Sequence, residues 1–294
     1  MDKKEIMTKM TRKKSLEQRL REMKSKQVVN KELYDRLVDF YNGYDYNGAD
    51  LEKEFDKDIK KEIGEMSNIN QVMIDKFVEF IDNTVSKYYN NDDIEGFDEK
   101  LDEMEKAGIF LTKIIEASKL KNVTIKLQYG KCINCFGYEL SRNVEINIEG
   151  NIGESLGAFM NSGKIQVYGV AGWACGDHMN NGEIIVYGNV NDGVGYFLGG
   201  GRIKVMGNAE GRTAEGMSGG ELIINRNAKG RIGHLASGGI VRINGNDAIQ
   251  LSDKIAKEPT GVKKGSEGLP HLVYKNISKA NFRVYHKDKL IYPE

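Results

Sequence analysis

From Glu145 onward, apolar and polar positions recur with a period of nineteen residues. Cut at that interval, the chain reads EINIEGNIGESLGAFMNSG (145–163), KIQVYGVAGWACGDHMNNG (164–182), EIIVYGNVNDGVGYFLGGG (183–201), RIKVMGNAEGRTAEGMSGG (202–220) and ELIINRNAKGRIGHLASGG (221–239). A sixth copy begins as IVRING (240–245). A fixed short period is the signature of a solenoid whose turns stack only on their neighbours. Positions two and four of each copy are apolar: Ile146/Ile148, Ile165/Val167, Ile184/Val186, Ile203/Val205 and Leu222/Ile224. That alternation predicts a short strand with one buried face.

Position eight (Ile152, Ala171, Val190, Ala209, Ala228) and position twelve (Leu156, Cys175, Val194, Thr213, Ile232) are apolar or small. So is position sixteen (Met160, Met179, Leu198, Met217, Ala236). The even spacings predict several short strands per turn, all pointing a row inward. Glycine fills position nineteen in all five copies and most of positions six and thirteen, where it is expected to supply positive φ at corners. The segments between strands are too short for the dozen or more residues of a crossover helix. A right-handed parallel β-helix of nineteen-residue coils is therefore expected over 123–250. Residues 124–144 read as an irregular first coil, with Ile125 and Leu127 at positions two and four.

The first 122 residues follow another rule. They hold little glycine, and their apolar residues fall at helical spacing. Helices are expected over 30–42, 50–63, 68–89 and 98–119, separated by the turn-rich YNGYDYNGAD (41–50) and the polar Asn90–Asp93. That last loop lacks the alternating ligands, the Gly and the closing Glu of an EF-hand. The expected fold is thus an α+β chain in two parts. An all-α region, 1–122, precedes the β-helix and covers one open end. A tail, 251–294, covers the other, with a polar loop at 257–268 and strands at 272–277 and 282–286.

Composition narrows the setting. The 294 residues carry no net charge, although residues 1–26 are basic and 27–122 acidic. Neither nucleic acid nor a membrane is an expected partner. Three cysteines cannot form a disulfide framework, no leader peptide is legible, and no apolar run has the length of a membrane span. The expected location is cytoplasmic.

The repeated pattern G-N-x-x-x-x-x-G-x-x-M-x-x-G-x-I resembles the GXGXG domain. The matching residues include Gly150, Asn151, Gly157 and Met160; Gly188, Asn189, Gly195 and Leu198; and Gly207, Asn208, Met217, Gly219 and Gly220. That family comprises the C-terminal β-helix of the glutamate synthase large subunit, and the β-helical subunits of formylmethanofuran dehydrogenase and of the related formyltransferase/hydrolase complex. The resemblance covers about 124–250. It implies a β-helix without catalytic residues that holds other domains or subunits in place, within an oxidoreductase complex. The glutamine-amidotransferase and flavin domains of glutamate synthase are absent from this chain, and residues 1–122 have no counterpart in the dehydrogenase's β-helical subunit.

Several short motifs compete with that reading. Gly153-Glu-Ser155-Leu-Gly157 has the form of a hydrolase nucleophile elbow, but that motif requires a following helix, an oxyanion hole and a His–acid pair. Ser155 also belongs to a repeat column with Ala174, Gly193, Arg212 and Arg231. Cys132 and Cys135 with Cys175 and His178 have the spacing of a zinc site, yet Cys175 sits in a buried column two coils from Cys135. Cys132 and Cys135 also form a CxxC pair open to redox chemistry. Trp173, Asp177 and His178 are the least repetitive residues of the cleanest region; His178 shares its column with Phe159 and Phe197. His234 falls in an outward column. Arg202, Arg212, Arg226, Arg231 and Arg242, interrupted by Glu210, Glu215 and Glu221, read as a solvated face.

No catalytic, cofactor-binding or metal-binding residue is assigned. The leading expectation is a non-catalytic scaffold subunit with protein partners and no cofactor. The alternative is a subunit with its own ligand-handling or catalytic role in glutamate or one-carbon metabolism, at Trp173–His178 or in a cleft between helices and solenoid. A remote third is an esterase at Ser155.

Overall fold

A computed structural model describes residues 31–44, 57–58, 61, 69–88, 97–251, 257–264, 270–276 and 282–292. Of the expected helix at 50–63 only 57–58 and 61 are described, and these are helical; the Asn90–Asp93 loop lies outside the described residues. Three helices precede the strands: α1 (Lys31–Gly43), α2 (Gln71–Ser86) and α3 (Phe97–Ala117). Helix α2 starts where Asn70, in extended conformation, accepts the Met73 N–H at 3.0 Å. Its apolar residues Met73, Phe77, Ile81 and Val85 recur at helical spacing and are buried. Phe77 and Phe110 of α3 meet edge to face at 6.0 Å, and Tyr41 of α1 meets Phe110 at 4.9 Å.

The strands then build one parallel stack in chain order. It comprises β1 (Asn122–Lys126), β2 (Glu145–Glu149), β3 (Lys164–Tyr168), β4 (Glu183–Val186), β5 (Arg202–Val205), β6 (Ser218–Ile224) and β8 (Gly238–Ile243), with β7 (Arg231–Ile232) on another side of the coil. Register is kept without slip along position two, from Ile146 through Ile165, Ile184, Ile203 and Leu222 to Val241. All six side chains are fully buried. Burying one such side chain contributes about 1.5–3 kcal/mol. Positions eight and twelve form their own parallel ladders, Ile152–Ala171–Val190–Ala209–Ala228 and Val194–Thr213–Ile232. The parallel β-solenoid with about nineteen residues per turn, preceded by helices, is the fold.

Three details differ from the expectation. The first coil pairs Val123 with Ile146 and Ile125 with Ile148, so Val123 and Ile125, not Ile125 and Leu127, hold positions two and four. Asn122 pairs with Glu145, so this coil is four residues longer than the nineteen of the others and the repeat period does not fix its start. Next, the position-six glycines Gly169, Gly188 and Gly207 have no positive φ. A Cβ on each would lie 2.1–2.5 Å from a backbone carbonyl oxygen of the previous turn, so close approach of backbones is what requires glycine there. Finally, 257–264 is a strand rather than a polar loop: β10 (Lys257–Lys264) pairs antiparallel with β11 (Pro270–Asn276).

Both ends of the stack are covered. After the short β9 (Gln250–Leu251), which pairs with β7, the tail returns as β12 (Phe282–His286) in parallel register on β8. Strand β13 (Lys289–Tyr292) then turns back antiparallel on β12. Phe282 and Val284 are fully buried against the last coil. At the other end α2 and α3 close the first turn with side chains that reach backbone. Asp82 accepts the N–H groups of Gln128 (2.7 Å) and Tyr129 (2.8 Å), and Thr112 accepts that of Gly137 (2.7 Å). Arg142 donates to the carbonyls of Ile115, Glu116 and Leu120 at the C-terminal end of α3, where the helix dipole favours a cation. One continuous core joins helices and solenoid.

Candidate functional site

The residues that break the repeat lie on one corner. Each coil crosses it through positions thirteen to fifteen. Position thirteen is left-handed at Gly157, Gly176 and Gly195 (φ 67°, 75° and 69°). A Cβ on Gly176 would stand 2.1 Å from Cδ1 of Ile203, so this glycine faces the core as well as turning the chain. Position fifteen is left-handed too, without glycine: Phe159 (φ 55°), His178 (50°) and Phe197 (47°). Such a residue costs about 1–2 kcal/mol. The cost is offset by a short bond from each of these N–H groups to the next coil, at the carbonyls of Asp177 (2.8 Å), Tyr196 (2.9 Å) and Glu215 (2.7 Å).

This backbone turns the position-fifteen side chains outward and stacks them. His178 lies between Phe159 (centroids 4.9 Å apart, planes at 14°) and Phe197 (4.8 Å, 24°). The spacing is that of the sheet itself, about 4.8 Å. Tyr138 supports Phe159 from the first coil, and Tyr196 meets Phe197 edge to face at 4.6 Å. Phe197 lies over Gly216, where a Cβ would fall 2.4 Å from its ring. The result is a ridge of ring edges. Phe159 and Phe197 are 36% and 38% exposed, and the His178 side chain 44%. His178, which shares its column with Phe159 and Phe197, packs sideways between them, and its edge faces water.

His178 Nδ1 is 2.6 Å from Asp177 Oδ1. Burial pushes the Asp177 carboxyl above its ordinary range, and the bond to His178 opposes that shift. Nε2 has no hydrogen-bond partner among the described residues. Trp173 sits at the foot of the ridge, 6.2 Å from Tyr196 and next to the Cβ-free space at Gly193. Four clefts, along α1 and α2 and at the edge of β1 and β2, are lined by residues other than His178. A second stack, Tyr168 on Tyr187 (4.6 Å, 8°), lies on the outer face of the sheet.

The competing motifs separate in space. Ser155 is left-handed (φ 55°), is followed by a turn rather than a helix, and its hydroxyl meets neither histidine nor carboxylate among the described residues. Cys175 is fully buried in its column, and burial alone pushes its thiol up to about 12. Cys132 is buried in the 3-10 turn Gly130–Cys132, and burial is the main reason its thiol is also raised. A raised thiol holds less thiolate, the form that attacks disulfides and binds metals. Cys135 and Cys175 stand two turns apart, roughly 10 Å at ~4.8 Å per turn, against the ~2.3 Å of a zinc–sulfur bond. His234 is half-buried, three turns from Asp177. Three arginines of the solvated face are paired, Arg202 and Arg242 with Glu221 and Arg212 with Asp192, and Lys229 beside them pairs with Glu210.

The cleft between helices and solenoid exists. It encloses about 840 Å³ between α2 and the edge of β1 and β2. Asp75, Glu79, Asp82 and Glu149 line it beside Lys126, which pairs with Glu149 at 3.0 Å. Burial raises Asp82, and its two backbone N–H bonds pull it back down.

Compared with known proteins, the chain matches no family model and no curated sequence. Among the described residues, no helix is long and apolar enough to cross a membrane.

Proposed function

We propose that the chain is a non-catalytic scaffold subunit, a solenoid that holds other polypeptides of a metabolic enzyme in place. The observation that carries this reading is the division of labour within the coils. Ser155 and Cys175 occupy repeat columns, Cys132 is buried in the first coil, and the exposed irregularity is a ridge of stacked aromatic edges. The Gly–Asn columns support placing it among GXGXG-type solenoids, beside the glutamate synthase C-terminal domain and the β-helical subunit of formylmethanofuran dehydrogenase, hence in an oxidoreductase assembly. The test is the native mass of the chain at its cellular concentration, with the activity of whatever co-purifies. A stoichiometric assembly that loses an oxidoreductase activity when the chain is withdrawn is the expected result; a free monomer refutes the proposal.

A second reading, a subunit that handles its own ligand, draws on the cleft between α2 and β1. Four carboxylates against one paired lysine make it a poor receptor for glutamate or another anionic metabolite. Calorimetric titration with glutamate tests this directly, and no heat of binding is expected.

A further inference from the structure

We propose that the corner ridge formed by Phe159, His178 and Phe197, with Trp173 and Tyr196 at its foot, docks a basic, apolar segment of a partner protein. This rests on the scaffold reading and gives it a surface. The first argument is composition. Solvent-accessible rings from three successive coils, Phe159, then His178 with Trp173, then Phe197 with Tyr196, converge on one strip, and aromatic residues are what protein interfaces concentrate at their centres.

The second argument is charge. From the first coil to the turn of Phe197, positions ten to fifteen carry Glu139, Glu154, Asp177 and Asp192 and neither Lys nor Arg. The first cation met along the corner is Arg212, which is held by Asp192 at 2.8 Å and approaches Glu215 at 3.6 Å. A chain with no net charge overall thus has an acidic, aromatic corner. Opposite charge on the partner is what this field favours.

The same two facts exclude other occupants. Carboxylates repel the phosphates of nucleic acid and of anionic lipid. Both faces of His178 are covered by Phe159 and Phe197, whose outer sides lie against Tyr138 and Gly216, which leaves little room for a base or sugar to stack. A second copy meeting the ridge by two-fold symmetry would set acid against acid. His178 adds a directional element. With Nδ1 engaged by Asp177, Nε2 is one polar atom amid apolar ring edges, suited to a donor from the partner.

The chain has a single tryptophan, Trp173, so its emission reports on this corner. The probes are two synthetic amphipathic peptides with the same leucine pattern, one with arginine and one with glutamate at the polar positions. The arginine peptide is expected to change Trp173 emission saturably and to bind roughly tenfold or more tightly than the glutamate peptide, with the difference shrinking in high salt. Phe197→Ser, at an exposed position, is expected to abolish binding with an unchanged far-ultraviolet dichroism spectrum. Asp177→Asn is expected to weaken the arginine peptide only. Equal binding of both peptides, binding of neither, binding untouched by Phe197→Ser, or self-association of the chain lost in Phe197→Ser would each overturn the proposal. The native assembly separates the two readings. An assembly that survives Phe197→Ser removes the ridge and leaves the scaffold; peptide binding without any native assembly does the reverse.

Discussion

The interior coils and the first coil solve the same problem by different means. Between Glu145 and Gly245 each turn is held by its neighbours through repeated backbone bonds, and four asparagine side chains repeat the device at a spacing of 19. Asn151, Asn189, Asn208 and Asn227 each accept the N–H of the residue 19 further on, at 2.8–3.1 Å. The first coil has no coil before it. Its open backbone is closed by single side chains of α2 and α3, Asp82 to Gln128 and Tyr129 and Thr112 to Gly137, and its own Arg142 in turn closes the end of α3. Regularity gives the interior its stability by repetition, whereas the cap depends on unique contacts that nothing duplicates.

The largest effect on this contrast is expected inside the repeats. Gly176→Val places a branched side chain against Ile203 in a left-handed backbone and is expected to cost about 3–5 kcal/mol in urea unfolding. In the same column Ala214 (φ 57°) stands, by register, over Val241 instead of isoleucine. Gly176→Ala combined with Ile203→Val should therefore cost less than the sum of its parts; strict additivity would break the link between the two columns.

Arg142→Ala comes next, at about 3 kcal/mol, because it strips a charged donor from three carbonyls. Hydrogen exchange should show α3 and β1 losing protection while β4 and β5 keep theirs, as expected for a quasi-one-dimensional stack. Uniform loss would mean that cap and repeats unfold as one unit. Thr112→Val is expected to cost about 2 kcal/mol by leaving the buried Gly137 N–H unpaired, and Thr112→Ser to restore most of it.

The smallest effect is electrostatic. The side-chain bond from Arg212 lowers the Asp192 carboxyl below its ordinary range. A depressed carboxylate stabilises the fold above its unfolded pKa, and that contribution disappears as pH falls through the depressed value. Acid unfolding of Arg212→Gln should lack this component at the low end of the carboxylate range. The exposed pair is worth at most about 1 kcal/mol, and an identical acid limb in the variant would show that it contributes nothing.

What was legible followed from repetition. Positions two, four, eight, twelve and sixteen announced their burial because each residue type recurred in a column, and burial in a stacked coil depends on the column. Helices α1, α2 and α3 were legible for the same reason at a shorter period. The glycine columns show in the sequence, but residue type does not distinguish positive φ at Gly176 from backbone crowding at Gly169. The ridge was half legible: Phe159, His178 and Phe197 shared a column, yet nothing in three non-glycine residues signals the left-handed backbone that turns them to solvent.

The sequence alone determined the solenoid, its period, its buried rows and the helical region before it, because those depend on local pattern and on neighbours one turn away. Tertiary structure alone decided the first coil's register, the clasp of Asp82, Thr112 and Arg142, the parallel register of β12 on β8 and the outward face of the ridge. Those rest on contacts between distant, unrepeated residues, where each partner is chosen by geometry and no periodicity records the choice.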